Sequence, residues 1–161
     1  MIPNTPYSKH LGNREPLASM RETSSRLSTL TAGWSVPQFE RTYAPGKWTA
    51  RLILTHLAET ELALGYRARM ALSSPGYMAQ SFDQDAWIAK ESTVSGVEAA
   101  SARFAMRQMN LALFTSLSPA DRQIPFSHPE YGALSVDWII HMLAGHDLNH
   151  LAQLETIAST V

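Results

Sequence analysis

Apolar residues recur every three or four positions in four long segments of the chain, a spacing that predicts amphipathic helices. The first segment lies between Pro16 and Pro37; the second follows Thr49, a residue suited to an N-cap, and ends before Ser73. The apolar face of the second segment comprises Ile53, Leu57, Thr60, Leu64, Ala68 and Ala71. His56 lies at the edge of this face, so we expect its imidazole to point towards the core.

The third helix is predicted to begin after Ser95, which forms a capping-box pattern with Glu98, and to run to Leu117. Its apolar residues fall on two opposite faces. One face carries Val97, Ala100, Phe104, Leu111 and Phe114, and the other carries Ala99, Ala102, Met106, Met109, Leu113 and Leu117. Two apolar faces need two burial partners, so this helix is either central to its bundle or forms a homodimer contact with its second face.

The fourth helix is predicted over Val136 to about Ala158, with Ser135 suited to cap it. His150 falls within its apolar arc, and His146 lies at the margin of that arc. Asp147 projects into the same arc, where a carboxylate is costly unless it finds a hydrogen-bond partner or a cation.

Four helices of this length predict an all-α fold, an up-and-down four-helix bundle. We expect residues 17–161 to form a single domain, preceded by an irregular N-terminal lead-in over residues 1–16. The segment Tyr77 to Ser92 is short and mixed, so we expect an irregular loop with at most a turn of helix within it. Pro119 to Gly132 is expected to be a connection, because its prolines and glycine interrupt any regular pattern.

Composition narrows the classes of partner. The 161 residues are 45% apolar and 17% charged, with a formal net charge of -1, which argues against a nucleic-acid footprint or a basic membrane surface. Small molecules or further copies of the chain are the expected partners. The chain has no cysteine, which excludes disulfides and a cysteine nucleophile and fits a cytoplasmic location. Neither a signal peptide nor an apolar membrane span is visible.

Three of the six histidines form a candidate metal site. His146 and His150 are four residues apart, so on a helix their imidazoles lie one above the other on the same face. His56 is directed towards the core from another helix. Three neutral imidazoles are a ligand set that leaves a divalent ion with open positions for water or substrate. The other three histidines, His10, His128 and His141, are expected in solvent.

Other metal and catalytic patterns fit less well. In His146-Asp147-Leu148-Asn149-His150 an aspartate stands where zinc proteases place a glutamate, and the carboxylates needed for a di-iron bundle are missing. The chain has neither a nucleophile elbow nor a glycine-rich phosphate loop. Arg67 lies on the His56 side of its helix, where it either neutralises a substrate carboxylate or pairs with Glu61 or another acid at the bundle surface.

The chain resembles the DinB/YfiT-like superfamily of small four-helix bundles over about Leu17 to Ala158. The resemblance rests on Lys47-Trp48-Thr49 leading to His56-Leu57-Ala58-Glu59-Thr60-Glu61, and on Gly145-His146-Asp147-Leu148-Asn149-His150-Leu151-Ala152-Gln153. His56, His146 and His150 match the three ligand positions of that family, and Gln153 matches its glutamine.

The resemblance implies a divalent metal ion, nickel, zinc or iron in relatives, and often a homodimer. Characterised relatives include transferases and isomerases that depend on bacillithiol, mycothiol or glutathione. The leading hypothesis is therefore a metal-dependent enzyme, here a thiol-dependent S-transferase or isomerase with a low-molecular-weight thiol as cosubstrate. Within it, Asp147 or Glu59 would orient a ligand imidazole, and Gln153 is a third candidate for such a role.

Two alternatives remain from other functional classes. One is a non-catalytic, stress-related bundle that binds a metal or another ligand. The other is a metal-assisted hydrolase, which would turn over its substrate without any thiol.

Overall fold

A computed structural model describes residues 2–159. It contains four long helices, four short helices and one pair of antiparallel strands, in the order α1 (Ser8–Leu11), α2 (Pro16–Thr31), α3 (Val36–Phe39), α4 (Ala50–Ser73), α5 (Gln84–Lys90), α6 (Gly96–Ser116), α7 (Pro119–Arg122), β1 (Pro125–His128), β2 (Gly132–Ser135) and α8 (Val136–Ser159). The all-α four-helix bundle is confirmed.

The predicted helix starts are confirmed by their capping bonds. The Thr49 hydroxyl accepts the Leu52 amide at 3.3 Å, and the Ser135 hydroxyl accepts the Trp138 amide at the same distance. Ser95 and Glu98 form the predicted reciprocal capping box, with distances of 2.8 and 3.2 Å. These caps satisfy amides that have no partner within the first turn, so α4, α6 and α8 start where their sequence signals lie.

The order of the long helices around the bundle differs from their order in the chain. Helix α4 packs mainly against α6 and α8, and α2 packs mainly against the same two helices. The consecutive pair α2 and α4 therefore lies across a diagonal of the bundle. The connection over residues 32–49, which includes α3, is long enough to cross the end of the bundle, whereas a two-residue turn would have kept the two helices adjacent.

Two connections contain more structure than the sequence predicted. The segment Tyr77 to Ser92 contains α5, and the Pro119 to Gly132 connection contains α7 and leads into the hairpin of β1 and β2. The N-terminal lead-in contains the single turn α1, which packs on α8. Its close approach depends on Gly145, because a Cβ atom there would lie 2.6 Å from the Tyr7 carbonyl oxygen.

A layer of buried polar residues divides the bundle core. One apolar cluster includes Met20, Leu64, Leu111 and Leu143, and another includes Leu27, Leu57, Ala99 and Leu151. Between these positions on the four long helices lie Thr23, Ser24, Glu61, Arg103, Arg107 and Asp147, all buried. The candidate histidines belong to the same middle part of the bundle. Residues 2–159 include no helix long and apolar enough to span a bilayer.

The buried face of helix α6 lies between its two predicted apolar faces, and it includes Leu111 and Phe114 from one of them and Ala99 from the other. Its buried residues include Arg103, Arg107 and Asn110, whereas Phe104 and Met109 are 45% and 65% exposed. The buried face is polar because it meets the polar layer of the other three helices. The homodimer contact on the exposed apolar side stays a prediction.

Candidate metal centre

The structure brings His56, His146 and His150 together inside the bundle. One ring nitrogen from each of these buried residues lies within 4.8 Å of the corresponding nitrogen of the others. His146 Nε2 is 2.9 Å from His56 Nε2 and 3.1 Å from His150 Nε2. Helix α4 supplies the first imidazole and successive turns of α8 supply the other two, as their sequence spacing requires.

Hydrogen bonding alone does not account for this convergence. A neutral imidazole carries one proton, so His146 Nε2 either donates one hydrogen bond or accepts one. It nevertheless has two close nitrogen neighbours. Two nitrogen ligands about 2.1 Å from one ion, at right angles to each other, lie roughly 3.0 Å apart. The observed spacings fit three imidazoles that share one face of a cation.

The glutamine that follows His150 by one turn fixes which nitrogen of that ring faces the cluster. Gln153 Oε1 lies 2.8 Å from His150 Nδ1, so Nδ1 carries the proton and donates it to the amide oxygen. The lone pair of His150 is then on Nε2, the atom that faces His146. Gln153 therefore orients a candidate ligand, the kind of role proposed for it from sequence.

Burial keeps the three imidazoles uncharged. Desolvation, and next the neighbouring His150, lowers the pKa of His56 to about 3. Desolvation likewise lowers the pKa of His146 well below its usual value, with further contributions from the other two histidines and from Arg107 and Arg103. The pKa of His150 is lowered by desolvation as well. Neutral imidazoles are the form that binds a metal ion.

Replacing Gln153 with leucine is expected to weaken metal binding about 10- to 100-fold, because His150 loses the acceptor that fixes its tautomer. Gln153→Glu keeps an acceptor oxygen and should retain most of the affinity. Competition titration of a divalent ion against a chromophoric chelator measures both variants. Equal affinity in Gln153→Leu and the unchanged protein would show that the hydrogen bond at 2.8 Å does not position the ligand.

The sequence predicted that Asp147 would orient a ligand imidazole, but its carboxylate has other partners. Its Oδ2 accepts hydrogen bonds from Thr23 Oγ1 at 2.8 Å, Arg103 Nη2 at 2.9 Å and Arg107 Nη1 at 2.6 Å. Desolvation acts to raise the pKa of this carboxyl, but Arg107 and Arg103 lower it to a net value below the usual one. The aspartate is thus a buried anion that pairs with two arginines directly behind the histidine cluster.

Glu61 completes this buried charge network. It accepts hydrogen bonds from Arg107 Nε at 2.7 Å and from Asn110 Nδ2 at 2.7 Å. Glu61 is therefore not the partner of Arg67, which was one of the two predicted alternatives. The network was missed in the sequence, although Arg103, Arg107 and Asn110 follow Ala99 at helical spacing and share its face.

Glu59 is buried without a partner. Its side chain lies one turn after His56, its residue is 3% exposed, and neither carboxylate oxygen has a hydrogen-bond partner among residues 2–159. Desolvation, and next the nearby Glu91, raises the pKa of Glu59 to about 7. Neither oxygen is therefore at hydrogen-bond distance from an imidazole, which was the role predicted for Glu59.

Glu59 should make the protein less stable as the pH rises. Its pKa is about 7 in the folded state and roughly 4.3 in an unfolded chain, so the folded state binds more protons between these values and stability falls as pH increases through them. Glu59→Gln removes the ionisation and is expected to add roughly 1–3 kcal/mol at pH 8 and little at pH 4. Urea unfolding at both pH values measures the difference. The exposed Glu22→Gln is the control, and an equal gain in both variants would contradict the assignment.

A cavity of about 280 Å³ adjoins the histidine cluster. It runs between α4 and α8 from His56 and His146 to Arg67 and Trp138, and Tyr7 also lines it. A small molecule in this cavity would therefore lie beside two of the three imidazoles, those of His56 and His146.

Two histidines expected in solvent are buried instead. His128 is at the end of β1 and lines the cavity, because the hairpin folds back against the bundle. The His141 Nδ1 is 2.9 Å from the Asp137 carbonyl oxygen, which satisfies the ring inside α8. His10 is only partly buried and its ring is tilted by 43° against that of Tyr7, with ring centroids 6.1 Å apart.

The fold and the histidine cluster define a helical bundle with a buried, cation-compatible site. The model of the DinB superfamily matches residues 19–154, and the chain belongs to this superfamily.

Comparison with individual proteins agrees with that assignment. The chain is 28% identical over 127 residues to a protein of Oceanobacillus iheyensis named "putative metal-dependent hydrolase", covering 74% of this chain and 70% of the relative. A second protein of that organism with the same description is 25% identical over 146 residues, covering 90% and 84%.

Two solved structures share the fold. YfiT from Bacillus subtilis, described as "a probable metal-dependent hydrolase with an unusual four-helix bundle topology", superposes with a TM-score of 0.80 at 18% identity, over 89% of this chain and 84% of YfiT. A mycothiol-dependent maleylpyruvate isomerase superposes with a TM-score of 0.73 at 16% identity, over 94% of this chain and 63% of the isomerase.

Proposed function

We propose that the protein is a metal-dependent hydrolase in which His56, His146 and His150 hold one divalent ion. The observation that carries the proposal is the convergence of the Nε2 atoms of three neutral imidazoles, with His146 Nε2 2.9 Å from His56 Nε2 and 3.1 Å from His150 Nε2, beside a cavity that His56 and His146 line. Three imidazoles suit zinc, nickel or iron. A divalent ion held there would lower the pKa of a small nucleophile and stabilise its anion at neutral pH.

The residues around the cluster support this function by holding the imidazoles neutral and in place. Gln153 fixes His150, and the Asp147 network fixes the backbone of α8 between the two ligands of that helix. The curated relatives described as metal-dependent hydrolases favour water as the nucleophile. The cavity volume of about 280 Å³ also fits a small substrate better than a large cosubstrate.

Thiol-dependent transfer is the second candidate. It is supported by the shared fold of the mycothiol-dependent isomerase and by the absence of cysteine, since an external thiol would have to supply any sulfur nucleophile. In this case the same three histidines would hold the ion, and a low-molecular-weight thiol would replace water.

Turnover with and without a thiol separates the two candidates. We expect metal-loaded protein to hydrolyse members of a panel of activated esters and amides without added thiol, and we expect His150→Ala to abolish this activity. His141→Ala removes a histidine from the same helix outside the cluster and should retain it. Turnover that requires glutathione, bacillithiol or mycothiol would show that the protein catalyses thiol-dependent transfer and not hydrolysis. Metal-loaded protein inactive under both conditions would favour a non-catalytic binding bundle.

A further inference from the structure

The far end of the cavity carries a buried cation. Arg67 lies three turns after His56 on α4, is 8% exposed and lines the same cavity as His56 and His146. It has no carboxylate within 4.0 Å among the described residues, since Glu61 is held by Arg107. A buried guanidinium without a carboxylate partner is unusual, because desolvation of a charge is normally offset by pairing.

Local contacts hold the Arg67 side chain but give its guanidinium no ion-pair partner among the described residues. Its Nη2 donates to the Gln80 carbonyl oxygen, and its guanidinium carbon lies 5.6 Å from the centroid of the Phe82 ring. A guanidinium has five N–H donors, and within residues 2–159 this is its one hydrogen bond. The Glu130 carboxylate also lines this cavity and acts to raise the pKa of Arg67, against the desolvation that lowers it. It is exposed, accepts a hydrogen bond from Ser81 and lies beyond ion-pair distance from Arg67.

Two other groups give this cavity unused hydrogen-bonding capacity. Thr60 is 5% exposed, lines the cavity between His56 and Arg67, and its hydroxyl has no partner among the described residues. The His128 Nδ1 accepts the Glu130 amide at 3.2 Å, so the proton of this ring is on Nε2 as a donor. Leu64, Trp138 and Met142 supply the apolar part of the wall.

We propose that Arg67 binds the carboxylate of a small organic acid whose apolar body lies between α4 and α8 and whose other end reaches the three histidines. One guanidinium matches one carboxylate in charge and in its planar, two-pronged geometry, whereas a phosphate dianion would call for further cations. This inference rests on the proposed function and names the substrate class of the same site.

The length of α4 sets the size of that acid. Eleven residues of helix separate the α-carbons of His56 and Arg67 by roughly 16 Å, and both side chains lean back towards the helix N-terminus. The carboxylate and the group that reacts would then be at most about 16 Å apart. A medium-chain or arylalkyl carboxylic acid derivative fits this span and the cavity of about 280 Å³.

Titration of hexanoate and hexanamide into the full-length protein tests the proposal. We expect hexanoate to bind at least 10-fold more tightly than hexanamide, and Arg67→Gln to weaken hexanoate binding 10- to 100-fold while leaving hexanamide unchanged. Arg67→Lys keeps the charge but loses the two-pronged geometry of the guanidinium. Its affinity for hexanoate should lie between those of the unchanged protein and Arg67→Gln. Arg69→Gln removes the same charge from the same helix, but Arg69 contacts Gly65 and Asn110 and should leave hexanoate binding unchanged.

The titration is run on protein as purified and after dialysis against a chelator. The Arg67 effect should be the same in both, so it is measured independently of the metal site and of any turnover. Hexanoate binding that survives Arg67→Gln and Arg67→Lys but is lost with the metal would place the carboxylate on the ion and overturn the proposal. Hexyl phosphate that binds 10-fold more tightly than hexanoate would overturn the carboxylate assignment.

Discussion

Replacing His146 with alanine is expected to give a folded bundle that no longer retains a divalent ion. His146 Nε2 is the atom common to both short contacts of the cluster, so its loss leaves an ion with two imidazole ligands instead of three. Structural zinc sites bind their ion with apparent free energies of about 10–16 kcal/mol, which is roughly 3 kcal/mol or more for each ligand. Losing one ligand should therefore lower the affinity about 100-fold or more. Metal content after gel filtration measures this loss.

His141→Ala is the matched control for this variant. It removes an imidazole from the same helix, but one whose Nδ1 bonds to the Asp137 carbonyl oxygen instead of facing the cluster. We expect it to retain the ion at the level of the unchanged protein. If His146→Ala also retained close to one ion per chain, the three histidines would not be the ligands.

Replacing Arg107 with methionine is expected to destabilise the protein by about 3–5 kcal/mol, because two buried carboxylates lose their shared cation. Arg107 is fully buried and donates to Asp147 at 2.6 Å and to Glu61 at 2.7 Å. Methionine keeps similar volume but supplies no donor. Urea unfolding followed by circular dichroism measures the change in free energy of unfolding.

Two further variants separate the buried charge from general effects of arginine removal. Arg26→Met breaks an ion pair with Glu155 whose side chains are 46% and 41% exposed, and it should cost less than about 1 kcal/mol. Arg107→Met combined with Glu61→Leu removes both charges of one pair and should recover part of the loss. A loss below about 1 kcal/mol for Arg107→Met alone would contradict a stabilising role for the network.

The histidine cluster could be predicted from sequence because periodicity fixes the face on which a residue lies. His146 and His150 lie on the same face at i, i+4, and His56 lies at the edge of the apolar stripe of its helix. The helix starts were predictable for a similar reason, since Thr49 and Ser95 act on amides of their own first turns. Such signals depend on residues that are close in sequence, so they can be recognised without knowledge of the tertiary structure.

The polar layer and the cavity could not be predicted in the same way. Arg103 and Arg107 lie on a face whose neighbours are buried, but only the positions of Asp147 and Glu61 on other helices make that burial favourable. His128 was expected in solvent because the sequence does not show that the hairpin folds against the bundle. The position of this hairpin over the cavity is set by tertiary packing. The diagonal placement of α2 and α4 also depends on contacts between distant segments, which periodicity does not specify.

The most direct test of the metal site is anomalous scattering from crystals of the protein as purified, recorded on both sides of the absorption edges of nickel, zinc and iron. We predict one peak about 2.0–2.2 Å from the Nε2 atoms of His56, His146 and His150, and its edge identifies the ion. Imidazoles turned apart, or a peak on other residues with none at this cluster, would contradict the central claim.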